Sequence, residues 1–543
     1  MTPVILIVLD GFGVAPAGPG NPISAATITH IDSFLRMYPT TQLKASGEAV
    51  GLPATEPGNT EVGHLNMGAG RVIYQSLPRI NLAIADGSFN KNEVFLKALE
   101  GVKKSGKNLH LLGLVGAGTV HASIDHLFSL LALCQKQDIQ NVFIHPITDG
   151  RDSPPQSAQT FLEEIDHKCK EYGRGKIATV TGRYYAMDRD KRWERIEKAY
   201  ACYTQGVAEK AANWQEAIKK SYDTKATDEF ILPTNIVENG QPVALVKEGD
   251  TVIFFNYRID RPRELTRAFT LENFEAEANK ITSYDPYATK YFKKHIDVNE
   301  QIIQPPFKRG PRIPNLTFIT MTEYEKDLPV QVAFPPHGVA MPLGRILSDH
   351  QLPQLRVTES EKERFVTFYF NGLREGAFPL EDHLIVPSPK VPMYNQKPEM
   401  SAYEITDVLI KKIQEKKYQF ILVNYANPDM VGHTGDINAC IKAVSTIDDC
   451  LGKVTDAALQ NDYAVLITAD HGNVEEKLNK VTGEMSTEHT SNPVPFIAIS
   501  NKLKGKPVRL QSGILADIAP TVLELLGVSV PRDMMGRNLL EEV

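Results

Sequence analysis

The stretch VILIVLD at residues 4–10 is an almost uninterrupted apolar run that ends in a carboxylate. Short runs of this kind are typical of parallel strands that are buried on both faces. Three later runs share this character: QFILVNYANPD at 419–429, YAVLITADHG at 463–472 and PVPFIAIS at 493–500. We therefore predict that these four segments are parallel strands of one domain.

A second set of apolar runs lies between the first run and the other three. Its members are NLHLLGLVGAG at 108–118, NVFIHPITDGRD at 141–152, KIATVTGRYYAMD at 176–188 and DTVIFFNYRIDR at 250–261. Helical patterns alternate with the strands, for example at 157–173 and 437–459, which indicates an α/β fold. Because 543 residues are too many for one hydrophobic core, we predict two domains. Residues 1–75 and 335–543 form one, split in sequence, and residues 76–334 form the inserted one.

The composition excludes several classes of protein. The net charge of -7 argues against a nucleic-acid-binding protein, which usually carries a basic domain. The five cysteines are odd in number and form no CxxC pair, so we predict neither a disulfide framework nor a zinc knuckle, and a cytoplasmic location fits best. No apolar run approaches the roughly 20 residues of a membrane helix, so no membrane association is expected.

Ligand-type side chains follow or adjoin the strands of the first set. They are Asp10, Asp429, His433, Asp470, His471 and His489. Open α/β sheets place their active sites at the carboxyl ends of the strands, and a mixture of carboxylates and imidazoles suits manganese or zinc better than calcium. A lone Asp-x3-His is usually a solvated helix face, and a lone strand-end aspartate is usually a cap or turn residue. The prediction of a site for two metal ions therefore depends on the whole set.

The glycine-rich segment EPGNTEVGHLNMGAGR at 56–71 presents one hydroxyl, that of Thr60, at the possible start of a helix. Backbone amides at a helix N-terminus attract anions, and a nearby metal or such a terminus helps a hydroxyl act as a nucleophile. The alternative is that Thr60 only caps the helix. The residues alone favour the cap.

The residues at the ends of the second set of strands are of a different type and include many arginines. The candidates are His121, Arg151, Asp152, Arg183, Arg189, Arg258 and Arg261. The planar guanidinium group suits phosphate and carboxylate because it forms paired, charge-assisted hydrogen bonds. This set predicts a small, highly anionic substrate.

Several motifs, in this order along the chain, resemble those of the cofactor-independent phosphoglycerate mutases. They are LDGFG, GNTEVGHLNMGAGRVIYQ, ITDGRDSPP, TGRYYAMDRD, FFNYRIDRPR, KPEMSAYE, NYANPDMVGH and TADHGN. The resemblance implies a parallel-sheet domain like that of alkaline phosphatase, with an inserted α/β domain that binds the substrate.

The resemblance also assigns roles to individual residues. One metal ion would be held by Asp10, Thr60, Asp470 and His471, and the other by Asp429, His433 and His489. Substrate would be bound by His121, Arg151, Asp152, Arg183, Arg189, Arg258, Arg261 and Lys362, the last from the sequence of the other domain. The family motif reads Gly-Asn-Ser-Glu where this chain has Thr60, and the usual surroundings of His121 are replaced by GAGTVHAS.

The activity implied is the interconversion of 3-phosphoglycerate and 2-phosphoglycerate, in glycolysis and gluconeogenesis, through a phosphothreonine intermediate. The implied cofactors are two divalent ions, manganese first, with zinc, cobalt or magnesium as alternatives, and no 2,3-bisphosphoglycerate. The family also implies a monomer.

Two other hypotheses remain open at this stage. One is another metal-dependent phosphatase or phosphomutase of the alkaline phosphatase superfamily, and the other is a non-catalytic metal-stabilised protein. The segment at 283–314, which contains several prolines and little periodicity, is interpreted as a surface excursion of the inserted domain.

Overall fold

The structure is a computed structural model that describes residues 2–280, 304–336, 338–479 and 482–541. Most of the predicted excursion at 283–314 lies outside the described residues, and only its last part, 304–314, is described. The chain divides into two compact units. The first comprises Met1–Pro78 and His337–Val543, and the second comprises Arg79–Pro336.

The strands of the described residues are numbered here in chain order. They are β1 (Val4–Leu9), β2 (Thr40–Lys44), β3 (Leu109–Val115), β4 (Val142–Thr148), β5 (Lys176–Ile177), β6 (Thr179–Gly182), β7 (Glu209–Ala211), β8 (Thr234–Glu238), β9 (Gln241–Pro242), β10 (Thr251–Phe254), β11 (Thr317–Thr320), β12 (Gln331–Val332), β13 (Gln354–Glu359), β14 (Glu381–Val386), β15 (Phe420–Tyr425), β16 (Ala464–Thr468), β17 (Val494–Ile499) and β18 (Gly513–Ile514).

The helices are numbered in the same way. They are α1 (Pro22–Ala25), α2 (Thr29–Met37), α3 (Thr60–Ala69), α4 (Ser76–Ala85), α5 (Glu93–Ser105), α6 (Ile124–Lys136), α7 (Ala158–Tyr172), α8 (Arg183–Ala186), α9 (Trp193–Gln205), α10 (Trp214–Asp223), α11 (Arg263–Thr270), α12 (Phe274–Glu277), α13 (Leu343–Asp349), α14 (Ala402–Gln414), α15 (Asn427–Gly432), α16 (Ile437–Gln460) and α17 (Ile518–Leu525). The two helices predicted by pattern, at 157–173 and 437–459, correspond to α7 and α16. None of the helices in the described part of the chain has the length and apolar character needed to cross a membrane.

The first unit is built on an eight-stranded sheet with the order β14-β13-β15-β1-β16-β17-β2-β18. Strand β1 lies inside this sheet, parallel to β15 on one side and β16 on the other, with Val4 opposite Phe420 and Ala464. All six of its side chains are buried, which is why its sequence is continuously apolar and does not alternate.

One strand of this sheet departs from the prediction. The segment at 493–500 forms β17, which runs antiparallel to β16, with Phe496 opposite Thr468, and antiparallel to β2. The prediction of a parallel strand was wrong because a continuous apolar run indicates burial on both faces and carries no information about direction. Strand β17 therefore begins beside the carboxyl end of β16 and runs back along it.

The second unit contains a ten-stranded sheet with the path β12-β11-β10-β3-β4-β6-β8-β7, in which β5 pairs with β4 and β9 with β8. The four predicted strand segments of this unit correspond to β3, β4, β5 with β6, and β10. Most pairs are parallel, including β3 with β4 and β10, whereas β8 is antiparallel to both β6 and β9. The predicted class is therefore confirmed: each unit is an α/β structure with a mostly parallel sheet.

Candidate active site

Four neighbouring strands of the first sheet bring charged side chains to one edge. In the order β13, β15, β1 and β16, the residues that follow the strands are Lys362, Asp429, Asp10 and Asp470. Adjacent strands in this group are parallel, so their carboxyl ends coincide. All four side chains are buried. The strand order therefore explains why residues from distant parts of the sequence meet.

Thr60 joins this group from α3. Its hydroxyl oxygen lies 3.3 Å from Asp10 Oδ1, 3.0 Å from His471 Nε2 and 3.0 Å from Lys362 Nζ. The cap of α3 is Asn59, whose side chain accepts a hydrogen bond from the backbone N–H of Val62. Thr60 is the first residue of the helix and does not cap it. The alternative that Thr60 serves only as a cap is thus excluded by the identity of the actual cap.

Two glycines allow these elements to approach one another. A Cβ atom on Gly63, one turn after Thr60, would lie 2.6 Å from the Cβ of Asp470. Gly11 has a φ of +71°, and a Cβ there would lie 2.8 Å from the Cβ of Asp429. Side chains at these positions would push α3 and the β1 loop away from the two aspartates.

Lys362 lies among the carboxylates of the first unit. Its Nζ is 2.7 Å from Asp10 Oδ1 and 2.7 Å from Asp429 Oδ2. Although burial lowers the pKa of a lysine, the charges of Asp10 and Asp429 outweigh it and raise the pKa of Lys362 above its usual range. This residue, expected from the resemblance to bind substrate, therefore belongs to the same cluster as the predicted metal ligands.

Three histidines surround Asp429. The Nε2 atoms of His433 and His489 are each 3.2 Å from Asp429 Oδ1, and they lie 3.1 Å from each other. His471 approaches more distantly, with Nε2 3.9 Å from Asp429 Oδ1. The structure thus assembles the ligand set expected for the second metal ion.

The hydrogen bonds of these histidines suit metal binding. Nδ1 of His433 lies 2.8 Å from the carbonyl oxygen of Thr487, and Nδ1 of His489 lies 2.9 Å from that of Gly58. His471 directs Nδ1 at its neighbour's carbonyl oxygen, at 3.2 Å. A carbonyl accepts only, so each Nδ1 carries a proton, and Nε2 is the ring atom of each histidine that would bind a metal ion.

Asp470 provides an independent sign that a cation fits here. Its Oδ1 accepts hydrogen bonds from the backbone N–H groups of Gly11 and His471. Its Oδ2 is buried and accepts no well-formed hydrogen bond among the described residues, although His64 Nδ1 lies 3.3 Å and His471 Nε2 lies 3.6 Å away. Leaving a carboxylate oxygen buried and unsatisfied is costly, and a metal ion at this position would remove the cost.

The carboxylates also make the cluster favourable for positive charge. Burial lowers the pKa of His471, but the charges of Asp470 and Asp10 outweigh burial and raise that pKa to about 9. Burial raises the pKa of Asp429, yet Lys362 and His433 hold it well below its usual range. The donor types and charges therefore fit divalent metal ions.

Two buried residues of this cluster were not singled out from the sequence. Asn424, on β15, donates from Nδ2 to Asp10 Oδ2 at 2.7 Å. His64, on α3, places Nδ1 3.0 Å from the carbonyl oxygen of Thr60. Both lie inside motifs that carry the family resemblance, NYANPDMVGH and GNTEVGHLNMGAGR, which is the one signal in the sequence that pointed to them.

The second unit brings the predicted arginines together around two aspartates. Asp260 pairs with Arg189 at 2.7 Å and with Arg258 at 3.0 Å. Asp149 pairs with the buried Arg183 at 2.5 Å. Neither Asp149 nor Asp260 was predicted from the sequence, although each stands close to an arginine, in ITDGRD and NYRIDR. Their carboxylates hold the guanidinium groups in place and offset their mutual repulsion.

The remaining candidates of this unit adjoin the same groups. Arg183 also pairs with Asp152 at 2.6 Å. Arg261 donates to the carbonyl oxygen of Met187, and burial together with the nearby charge of Arg183 lowers the pKa of Arg261 to about 10. Arg151 is the outlying member: its side chain is 55% exposed, and its nearest partner is Glu229, at 3.7 Å.

His121 is buried between two of these carboxylates. Its Nε2 is 3.8 Å from Asp152 Oδ2, and its Nδ1 is 3.7 Å from Asp260 Oδ1. Burial and the charge of Arg183 lower the pKa of His121 to about 3. The imidazole is therefore uncharged at neutral pH and available as a hydrogen-bonding group beside an excess of arginine.

Two family models match this chain, one within each compact unit. Residues 80–326 match the family model described as the BPG-independent PGAM N-terminus, and residues 360–508 match that of type I phosphodiesterase / nucleotide pyrophosphatase.

Full-length relatives are also found. The chain is 48% identical over 539 residues to the 2,3-bisphosphoglycerate-independent phosphoglycerate mutase of Clostridium beijerinckii, covering 99% of both chains. It is 46% identical to the enzyme of the same name from Moorella thermoacetica, covering 99% of this chain and 98% of that one. Among solved structures, a phosphoglycerate mutase of Leishmania mexicana, crystallised at low cobalt concentration, matches with a TM-score of 0.56 and 28% identity, over 99% of this chain and 97% of that chain. The chain belongs to the family of 2,3-bisphosphoglycerate-independent phosphoglycerate mutases.

Proposed function

We propose that this protein interconverts 3-phosphoglycerate and 2-phosphoglycerate without 2,3-bisphosphoglycerate, and that Thr60 accepts the phosphoryl group. The observation that carries the assignment of Thr60 is the placement of its hydroxyl, within 3.3 Å of Asp10, His471 and Lys362 and free of any capping role. The hydroxyl belongs to the first residue of α3, where the backbone amides favour an anion.

Two divalent metal ions are the cofactors in this proposal, with manganese as the expected ion. Asp10, Thr60, Asp470 and His471 would hold one ion, and Asp429, His433 and His489 would hold the other. When bound, such ions lower the pKa of a coordinated hydroxyl and offset the charge of a phosphoryl group. Support for this distribution comes from the three imidazoles, which turn Nδ1 to carbonyl oxygens and leave Nε2 for a metal ion, and from Asp470 Oδ2, which accepts no well-formed hydrogen bond among the described residues.

The side chains of the cluster have defined tasks in the transfer. Thr60 Oγ1 attacks phosphorus in line with the departing sugar-acid oxygen, and the bond between phosphorus and that oxygen breaks. The Thr60 hydroxyl gives up its proton in this step, and the departing oxygen takes up one proton, so that a glycerate hydroxyl is released. Lys362, held cationic between Asp10 and Asp429, donates hydrogen bonds to the equatorial phosphoryl oxygens. Burial of the cluster keeps water away from the phosphothreonine, which otherwise would be hydrolysed.

The arginine cluster of the second unit would hold the glycerate between the two transfers. Arg258, Arg261 and Arg189 bind its carboxylate, and binding from one end lets the hydroxyls exchange places. Asp152 is kept ionised: burial raises its pKa, but the hydrogen bond and charge of Arg183 lower it below its usual range. Asp152 then accepts a proton from one glycerate hydroxyl, with the uncharged His121 as its neighbour.

We propose further that the two compact units act as a metal-binding domain and an inserted phosphoglycerate-binding domain. The ligand set lies wholly in the first unit and the arginine set wholly in the second, which supports this division. A monomeric, cytoplasmic enzyme completes the proposal.

The test follows both phosphoglycerates and free phosphate by phosphorus NMR, starting from metal-loaded protein and 3-phosphoglycerate without 2,3-bisphosphoglycerate. We expect 2-phosphoglycerate from the wild type and from Thr60→Ser, which keeps the hydroxyl without the methyl group. Thr60→Ala should lower kcat by roughly 10³-fold or more, because it removes the nucleophile. Acid-quenched wild type should carry one phosphoryl group on the peptide that contains Thr60.

Two outcomes would contradict the proposal. Free phosphate without 2-phosphoglycerate would make the protein a phosphatase, and near wild-type turnover by Thr60→Ala would remove Thr60 from the reaction. Reconstitution of the metal-free protein with manganese, cobalt, zinc or magnesium in turn tests the choice of ion.

A further inference from the structure

His64 lies inside the carboxylate cluster, and its position alone makes it a candidate metal ligand. Ligand-type atoms of Asp10, His64 and Asp470 all lie within 4.8 Å of one another. The ring is completely buried and packs against Phe365, with the ring centroids 6.2 Å apart. Whether His64 binds a metal ion or acts on the ligands depends on which ring nitrogen has a free lone pair.

The amide of Asn424 decides this question. Its Nδ2 lies 2.7 Å from Asp10 Oδ2 and 3.1 Å from His64 Nε2. An ionised carboxylate accepts only, so the atom facing Asp10 must be the amide nitrogen and not the oxygen. That nitrogen carries two hydrogens, one for each neighbour. Nε2 of His64 is therefore an acceptor, and its lone pair is already used.

The other ring nitrogen must then carry the proton. Nδ1 of His64 lies 3.0 Å from the backbone carbonyl oxygen of Thr60 and 3.3 Å from Asp470 Oδ2. Both of these atoms accept hydrogen bonds, so Nδ1–H donates to the Thr60 carbonyl with the Asp470 carboxylate beside it. Both ring nitrogens are therefore engaged in hydrogen bonds, and no lone pair is left for a metal ion.

The contrast with the neighbouring histidines is clear. His433 and His489 also direct Nδ1 at carbonyl oxygens, but their Nε2 atoms face Asp429 and each other. His64 differs because an amide N–H occupies its Nε2. The same cluster thus contains histidines prepared to bind a metal ion and one histidine prevented from doing so.

We infer that His64 is a positioning residue, which together with Asn424 sets the geometry of the Asp10 and Asp470 ligands and of Thr60. The inference rests on the proposed metal site. The two residues form one hydrogen-bonded chain, from Asp10 through Asn424 and His64 to the backbone of Thr60. This chain links β1, β15 and α3, the elements that supply the ligands and the nucleophile. Outer residues that orient ligands typically change metal affinity by roughly 10–100-fold when replaced.

Three variants distinguish the two hydrogen bonds that His64 makes, with Asn424 and with the Thr60 carbonyl. His64→Leu removes both hydrogen bonds. His64→Gln can present an oxygen near the Nε2 position and accept from Asn424, and His64→Asn can present an amide N–H near the Nδ1 position and donate to Thr60. Calorimetric titration of metal-free protein with Mn²⁺ should show a roughly 10–100-fold weaker association for His64→Leu at one of two sites, with partial recovery in at least one amide variant.

Two spectroscopic measurements do not depend on turnover. Nitrogen–proton correlation spectra of zinc-loaded protein labelled at histidine should show the His64 proton on Nδ1. The visible absorption of Co²⁺-loaded His64→Leu at saturation should keep the intensity and coordination number of the wild type. His126→Gln is a matched control, because His126 is buried and bonded to an asparagine side chain, Asn81, in the second unit. It should leave metal affinity unchanged.

Other results would overturn the inference. A proton on Nε2, a metal-bound His64 signal, or a lower nitrogen coordination number in Co²⁺-loaded His64→Leu would make His64 a ligand. Unchanged Mn²⁺ affinity in His64→Leu would make it a packing residue only. Failure of the proposed function would give a different result. The protein would bind metal tightly and His64 would carry its proton on Nδ1, but no 2-phosphoglycerate would form.

Discussion

At the scale of single residues, the pKa of a buried histidine is shifted in opposite directions in the two units. His471 is surrounded by aspartates, which outweigh burial and raise its pKa to about 9. His121 is buried close to Arg183, and its pKa falls to about 3. Each imidazole is suited to its own site: one lies where positive charge is favoured, and the other stays uncharged beside the guanidinium groups that we propose to bind an anion.

The lowered pKa of His121 predicts a dependence of stability on pH. Between the unfolded pKa of about 6.5 and the folded value of about 3, the unfolded chain binds the proton and the folded chain does not, so acidification favours unfolding. From pH 6.5 to pH 5, this residue should lower the free energy of unfolding by about 2 kcal/mol. Urea denaturation across that range should show a shallower pH dependence for His121→Gln than for the wild type.

The exposed His167 provides the control for this measurement. His167→Gln makes the same substitution at an exposed position and leaves His121 in place, so it should keep the pH dependence of the wild type. Equal slopes for His121→Gln and the wild type would contradict the assignment of a suppressed charge to His121.

At the scale of elements, helix α3 contains Gly63 although glycine has a low helix propensity, because only glycine leaves room for the neighbouring Asp470. Gly63 faces Asp470, and a Cβ there would lie 2.6 Å from that side chain. Gly101, in α5, has nothing within 4 Å of the corresponding position. Both are interior helical glycines, so their alanine variants differ mainly in the space around the new methyl group.

Opposite effects on stability are therefore expected. Gly63→Ala should destabilise the metal-free protein by about 1–3 kcal/mol, because the methyl group pushes α3 away from Asp470. Gly101→Ala should stabilise it by about 0.5–1 kcal/mol, since alanine is the better helix former. Equilibrium urea denaturation measures both. A gain of stability in Gly63→Ala would show that α3 and Asp470 are not held this closely.

At the scale of the whole molecule, the proposed metal ligands lie in only one of the two compact units. Metal binding should therefore stabilise that unit selectively, by about 2.7 kcal/mol when the free ion is at 100 times its Kd. Hydrogen exchange followed by mass spectrometry should show slower exchange in peptides covering β1, β15 and β16 after Mn²⁺ is added. Peptides covering β3 and β4 should not change.

Removal of the metal ion and substitution of a proposed ligand should each reverse the slower hydrogen exchange. Removal of the ion with a chelator should restore the original exchange rates. Asp429→Asn should reduce the Mn²⁺-dependent protection, because it removes a carboxylate charge from the site. Equal protection of both sheets would contradict a metal site confined to the first unit.

The sequence by itself determined the α/β class and the two sets of strands, because apolar runs and helical periods are local consequences of burial. It also pointed to Asp10, Asp429 and Asp470, since strand ends carry the chemistry in parallel sheets. It could not show that β17 runs antiparallel, because burial on both faces looks the same in either direction.

Hydrogen-bond partners were decided only by the tertiary structure. Asn59 and not Thr60 caps α3, Lys362 lies between two aspartates, and Asn424 joins Asp10 to His64. Asn424 and Asp10 are 414 residues apart in sequence, and they meet because β15 and β1 are neighbours in the sheet. Which donor faces which acceptor follows from the order of strands, and that order is a property of the complete fold that no local pattern encodes.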